Sequence, residues 1–313
     1  MPFNINAGYG RLIAEAVAAH APKSGKVYFV ATTGVAGWEE FSEMFPTGPE
    51  GNTRVWTTLK GLLDADVIED GGDDVVYVLP NHTEDINVAG AIDTGTDSAG
   101  LTVIGLGEAD ERPLFTFRGA TTADINIGSN GVTFENLRFD LTGIDALAAP
   151  FDVNDTGFTL RNCDIEVADS TGQATLALLT DANAGGLTID NCNFHGSENA
   201  GTTAAIRLVG GLEHVIKDSR FVGNYQLNVG AIQTTTTAVG LTIKNNIIKN
   251  LTASSTAAIA LGVDSEVEVV NNRLAVLSGS APIRIDPGAH TGYTLVGGNY
   301  YKAATTVAAG TLL

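Results

Sequence analysis

Cleaving a glycosidic bond needs two carboxyl groups about 5–9 Å apart. Three aspartates in the middle of the chain, Asp164, Asp190 and Asp218, are the natural candidates for such a pair. His82, His195 and His214 could act as bases, but they show no spacing suited to holding a metal ion. Cys163 and Cys192 are the only cysteines, too few for a disulfide scaffold. No glycine-rich run has the strand-to-helix setting of a phosphate loop. What these residues can do depends on how the chain arranges them, and that arrangement is written in a repeat.

The segments GVTFENLRF (131–139), GFTLRNCDI (157–165), GLTIDNCNF (186–194), EHVIKDSRF (213–221), GLTIKNNII (240–248), EVEVVNNRL (266–274) and GYTLVGGNY (292–300) align. Their sixth positions are Asn136, Asn162, Asn191, Asp218, Asn245, Asn271 and Gly297, at intervals of 26, 29, 27, 27, 26 and 26 residues. Three residues later stands an apolar group: Phe139, Ile165, Phe194, Phe221, Ile248, Leu274 and Tyr300. Leu187 and Ile189 alternate with Thr188 and Asp190, the signature of a strand with one buried face. Asn tolerates left-handed backbone and bonds locally, so it suits a tight bend between strands. Equivalent amides about 4.8 Å apart in stacked coils can form a ladder.

A second strand recurs as AAIRLVG (204–210), GAIQTTT (230–236), AAIALGV (257–263) and APIRIDP (281–287), with weaker copies at 149–153 and 175–179. GLTVIGLG (100–107) is an earlier copy of the first, with Gly105 at the bend. Repeats of 26–29 residues with three short strands each predict an all-β chain, a three-sided right-handed parallel β-helix. Eight or nine coils would make a rod roughly 40 Å long.

The coil explains the candidates. Asp164, Asp190 and Asp218 occupy the eighth, fifth and sixth repeat positions. Side chains two apart share a face and adjacent ones oppose, so the three are expected to be solvated rather than convergent. His195 follows an inward Phe194 and should point outward. Cys163 and Cys192 share one repeat position and should stack as free thiols, because ladder geometry rarely meets the disulfide dihedral. The outer faces of 204–210, 230–236 and 257–263 are expected to offer Ala, Thr and Gln, with residues 234–237 as a flat threonine strip suited to packing against identical rods. No catalytic, cofactor-binding or metal-ligating residue is assigned.

A solenoid must cap its ends. Residues 1–70 read as a small α/β element for capping or attachment, with helices over 9–20, 38–45 and 53–65 and a strand over 26–31. The last helix would place Val55, Leu59, Leu62 and Leu63 on one face. Residues 71–301 form the β-helix and 302–313 a short tail. Net charge is −19, which argues against nucleic acid as a partner. Residues 1–100 carry 15 acidic and 5 basic side chains, whereas 217–302 carry 7 basic and 5 acidic, so the two ends should differ in potential. The start lacks a basic segment leading into an apolar core, and no apolar run approaches membrane length, so neither a signal peptide nor membrane insertion is expected.

The pattern at 71–90, a buried strand, a Pro turn and a strand beginning at Asp85, resembles the first coil of pectate-lyase-like solenoids. The resemblance covers about residues 55–300. Hydrolases of that class carry Gly-x-Asp-Asp, Gly-His-Gly and Arg-Ile-Lys signatures. Here Gly72-Asp73-Asp74 matches in letters only, and Ile283-Arg284-Ile285-Asp286 is a partial match. The chain most resembles phage virion β-helix proteins of the head-decoration or fibre type. The resemblance implies a non-enzymatic virion structural protein, a homotrimer that contacts the major capsid protein or another virion component and that stabilises the particle, binds host surfaces such as glycan, or does both. The alternative it implies is a tailspike-like depolymerase or lyase.

Overall fold

The structure, a computed structural model, describes residues 25–32, 53–196, 202–226, 229–253, 255, 257–262, 266–277, 282–285 and 294–302. The helices expected over 9–20 and 38–45, and the tail beyond 302, lie outside these residues.

The chain winds as a right-handed parallel β-helix with three sheets. Sheet A runs from Val55–Trp56 and Val27–Val30 through Val75–Val78 to Thr294–Gly297. Sheet B runs from Thr83–Ile86 to Tyr300–Lys302, and sheet C from Ile92–Asp93 to Ile283–Ile285. Neighbours along each sheet are parallel and one coil apart, as in the register Phe139↔Ile165↔Phe194↔Phe221↔Ile248↔Leu274.

The bend between sheets A and B is where the repeat becomes geometry. Asn136, Asn162, Asn191, Asp218, Asn245 and Asn271 all have φ between +52° and +59°, a region that asparagine and aspartate enter far more readily than other side chains. Asn162 Nδ2 donates to Asn136 Oδ1 at 3.0 Å, Asn191 Nδ2 to Asn162 Oδ1 at 3.3 Å, and Asn245 Nδ2 to Asp218 Oδ1 at 3.0 Å. Two ends of the repeat depart from expectation. Val270 pairs with Gly297, so Gly298 (φ +60°) takes the last bend, Tyr301 aligns with Leu274, and Tyr300 stands 71% exposed. Gly105 aligns with Asn136 but continues its strand; a Cβ there would meet Asn136 O at 2.3 Å. The bend of that coil is displaced to Gly107 (φ +102°), ahead of a 3-10 turn at Ala109–Glu111.

The position just after the bend points inward and forms a second ladder. Cys163 and Cys192 occupy it as free, buried thiols in successive coils. Farther on it holds Ser219, Asn246, Asn272 and Asn299. Cys192 N donates to Ser219 Oγ, Ser219 N to Asn246 Oδ1, Asn246 N to Asn272 Oδ1 and Asn272 N to Asn299 Oδ1, all at 2.8–3.0 Å. Each buried amide thus caps the backbone of the coil before it, which satisfies groups that would be costly to bury unpaired.

The N-terminal end closes differently from the expected helix over 53–65. Pairing with Phe29 and Val30 draws Val55–Trp56 into sheet A, and the helix shrinks to Leu59–Asp64. Leu59 and Leu62 plug the core. Glu84 accepts from Leu59 N and Lys60 N, and His82 Nε2 lies 3.2 Å from it, so a buried carboxylate holds the helix start. The outer face of sheet A is apolar at this end: Phe29, Val75, Tyr77 and Ile104 form a second buried cluster.

The threonine strip is corrected. Thr234 faces inward at the position of Leu208 and Leu261, and its Oγ1 accepts from Gly262 N at 2.6 Å. Thr235, Thr236 and Thr237 are exposed in the turn that follows the strand. The alanines of these strands, Ala204, Ala205, Ala231, Ala257, Ala258 and Ala260, are buried too. Only the arginine-glutamine-alanine column, Arg207, Gln233 and Ala260, holds the outward register there, with Arg207 Nε donating to Gln233 Oε1.

Candidate functional site

The three candidate aspartates stand apart. Asp190 lies on the outer face of sheet A, where an alternating ion ladder joins Glu135, Arg161, Asp190 and Lys217 at 3.0–3.8 Å. Asp218 belongs to the bend ladder. Asp164 alone sits on the outer face of sheet B, where the candidate His195 joins it together with Glu166, Asn193 and Arg112, which were not among the candidates.

Inward Phe139, Ile165 and Phe194 force the next residue of each coil outward, which places Asp140, Glu166 and His195 in one column. Asp164 is two residues before Glu166 on the same strand and so shares its face. Asn193 Nδ2 donates to Asp164 Oδ1 at 2.6 Å, His195 Nε2 lies 3.4 Å from the same oxygen, and Arg112 Nη2 is 3.9 Å from Oδ2. Asp140 Oδ1 accepts from Thr142 N and Oγ1 at 2.9 and 2.7 Å. A small hairpin, Ala168 paired antiparallel with Gln173, stands beside the column, its turn held by Asp169, which accepts from Thr171 N and Gly172 N.

These environments push the two strand-mates in opposite directions. Burial raises the Glu166 carboxyl above its ordinary range; His195 opposes this, while the charges of Asp140, Asp169 and Asp164 add to it. Burial also pushes Asp164 upward, but hydrogen bonds from His195 and Asn193 outweigh it and leave the carboxyl below its usual range. The bond to Asp164 raises His195, against the effect of its own burial. The two carboxyls are thus shifted in opposite directions, the kind of separation that acid–base chemistry uses. Their Cα atoms are about 6–7 Å apart by strand geometry.

The other two candidate histidines, His82 and His214, are internal. His214 is fully buried; Leu187 N donates to its Nδ1 at 3.3 Å, so Nε2 carries the hydrogen and donates to Gly210 O at 2.9 Å. His82 lies between Thr32 Oγ1 and Glu84 Oε2. Among the described residues, no three His, Cys, Asp or Glu side chains gather as metal ligands, and no helix is long and apolar enough to cross a membrane. A cavity of ≈ 90 Å³ at the N-terminal end, lined in part by Asp66, Asp93 and Asp97, is far smaller than the few hundred Å³ of most ligand pockets.

No family model and no curated protein sequence matches the chain. Among solved structures it is similar to a mutant tailspike protein of E. coli bacteriophage HK620, at 14% identity and a TM-score of 0.51, over 83% of this chain and 56% of that one. The chain thus spans little more than half the length of that tailspike. It also aligns with the pectate lyase Pel9A at 11% identity and a TM-score of 0.47, over 92% of this chain and 80% of the lyase. The tailspike likeness agrees with the class that the sheets define, a right-handed parallel β-helix of about eight turns.

Proposed function

We propose that the chain is a structural component of a phage virion, a rigid β-helical rod that self-associates as a homotrimer and decorates or extends the particle. The observation that carries this reading is the double ladder at the bend. Outer amides and inner Cys, Ser and Asn side chains fix the stagger of each coil on the next, which suits a load-bearing element. The tailspike likeness supports a phage setting through the fold. Light scattering on the purified chain tests the assembly: a mass three times the 32.4 kDa chain is expected, and a monomer at micromolar concentration overturns the trimer. Antiserum to the chain should label intact particles of the phage that encodes it; unlabelled particles would remove the virion assignment.

The Asp164–Glu166 pair favours a second reading, a β-helix that cleaves surface glycan. On this reading Glu166 donates the proton to the leaving oxygen, Asp164 stabilises the positive charge that develops on the sugar, and a water adds to the anomeric carbon and returns a proton to Glu166. Release of reducing ends from host capsule or lipopolysaccharide, abolished by Glu166→Gln in a protein of unchanged melting temperature, would establish it. Equal release by the variant would exclude Glu166 from the chemistry.

A further inference from the structure

Asp74 and Glu84 are the only buried carboxylates among the described residues, at 1% and 6% exposure. Both stand in the first coil, and both bind backbone N–H groups of the N-terminal cap. Asp74 Oδ1 accepts from Lys26 N at 2.5 Å and its Oδ2 from Glu69 N at 3.0 Å. Glu84 Oε2 accepts from Leu59 N at 2.7 Å and its Oε1 from Lys60 N at 3.0 Å. Four cap donors thus end on two carboxylates: one beside the strand Val27–Val30, two at the helix start and one in the turn after the helix. Farther along the rod, buried polar links between coils are made by Ser219, Asn246, Asn250 and Asn272, which do not titrate. Beyond the first coil, His214 is the one buried side chain among the described residues that gains charge in acid.

We propose that Asp74 and Glu84 form an acid-released latch: as they take up protons, the cap loosens from the first coil while the coils beyond stay paired. An ionised carboxylate accepts at both oxygens, whereas its protonated form carries a hydroxyl that must donate. Each carboxylate here spends both oxygens on backbone donors, so a proton breaks one bond and weakens the other at a site closed to bulk water. The cap is therefore held while both groups are ionised and is lost as the pH falls. The charged groups around Asp74 are Lys26, Glu69, its chain neighbour Asp73 and, over the Tyr28 ring, Arg54; Lys26 Nζ is engaged by Glu69. Glu84 faces His82 at 3.2 Å and, from the helix, Lys60, which pairs with Asp64. Asp85 points outward to Arg118, and the neighbouring strands Thr102–Gly105 and Leu114–Phe117 bring no charge. A protonated His82 favours the ionised form of Glu84, so it delays release and does not cause it. The latch concerns how the end of the rod is held and is independent of the virion reading.

The test takes the full chain from about pH 7 to about pH 3, across the ordinary carboxyl range, at a fixed temperature below its melt. Trp56, one of two tryptophans, lies in the cap strand Val55–Trp56 and donates to Thr53 O. Trp38→Phe leaves it as the sole reporter. Its fluorescence is expected to change at a higher pH than the far-ultraviolet circular dichroism of the strands. Hydrogen exchange, corrected for its intrinsic pH dependence, should speed at least about tenfold at Leu59, Lys60 and Val27–Val30, with the amides of Asn246 and Asn272 still protected. Asp74→Asn combined with Glu84→Gln, which imitates the protonated pair, should show that exchange pattern at neutral pH and lose the acid step in Trp56. If the double variant fails to fold, each single variant should move the step to higher pH. His214→Gln removes the acid-sensitive group of the coils and should leave the order of events unchanged. Coincident Trp56 and dichroism transitions in the His214→Gln background, or an acid step that survives unmoved in the carboxylate variants, would overturn the proposal.

Discussion

The early and late coils solve the same packing problem with different chemistry. From the coil of Phe115 to that of Phe158 the interior is aromatic: Phe115–Phe139 ring centroids lie 5.6 Å apart, Phe139–Phe151 4.8 Å and Phe134–Phe158 5.7 Å. From Ser219 onward the core is mostly Ile, Leu and Ala, and the inner bend carries Ser and Asn where earlier coils carry Cys. Aromatic burial is strong but tolerates sliding. An amide that caps a particular N–H does not, and a one-residue slip would turn every side chain to the wrong face. Both halves share the outer amide ladder; the early coils add aromatic area to it and the late coils add inner, directed amide bonds.

This contrast can be broken at either end. Phe139→Ala or Phe151→Ala should have the largest effect, about 3–5 kcal/mol of unfolding free energy, read from the urea midpoint. Asn246→Ala strands Ser219 N–H, Ile216 C=O and part of the Asn272 ladder and should cost about 2–3 kcal/mol. Cys163→Ala, at the same position in an early coil, should cost about 1 kcal/mol, the scale of a small buried truncation. If the two inner-ladder variants cost the same, the distinction between halves fails.

At the outer bend, Asn191→Ala should lose about 1–2 kcal/mol because alanine at φ +53° is strained, while Asn191→Gly should lose less. Equal losses would show that the amide bonds, and not the backbone angle, dominate.

The pH dependence is the smallest of these effects and has two limbs. Burial holds His214 below its ordinary value of 6.5, so its contribution is present above that pH and is lost as the pH falls beneath it. His195 is raised by Asp164, so its contribution is present below pH 6.5 and is lost as the pH climbs through its elevated folded value. Thermal melts should show a shallow optimum, with His214→Gln flattening the acid side and His195→Gln the alkaline side. A variant that flattens the opposite limb would reverse the assignment.

The bends were legible in the sequence because few residues accept a left-handed backbone, so Asn, Asp and Gly had to recur there. The final repeat was misaligned by one residue because Gly297 and Gly298 are adjacent and either could turn the chain. The strands of sheet C were misread for a different reason. Alternation from inward Ile232 places Thr234 inside, but a run of identical threonines hides where the strand stops, and Leu208 in the adjoining coil marks the inward position. The Glu166 column was present in the alignment, one residue after Phe139, Ile165 and Phe194. Repeat position alone hides it, because it does not say which face each coil presents.

Apart from Arg112, which reaches two coils on to Asn162 O and Asp164, the described coils pair with their immediate neighbours, and such a chain has no length written into it. Excising residues 218–244 would join Lys217 to Asn245, and the pairing Lys217↔Lys244 means that each side of the join already has the shape the other needs. The rod is in this sense a ruler marked in units of one repeat. Whole-coil duplications or deletions could change its reach by about 4.8 Å at a time, while the end cap and the faces it carries stay the same.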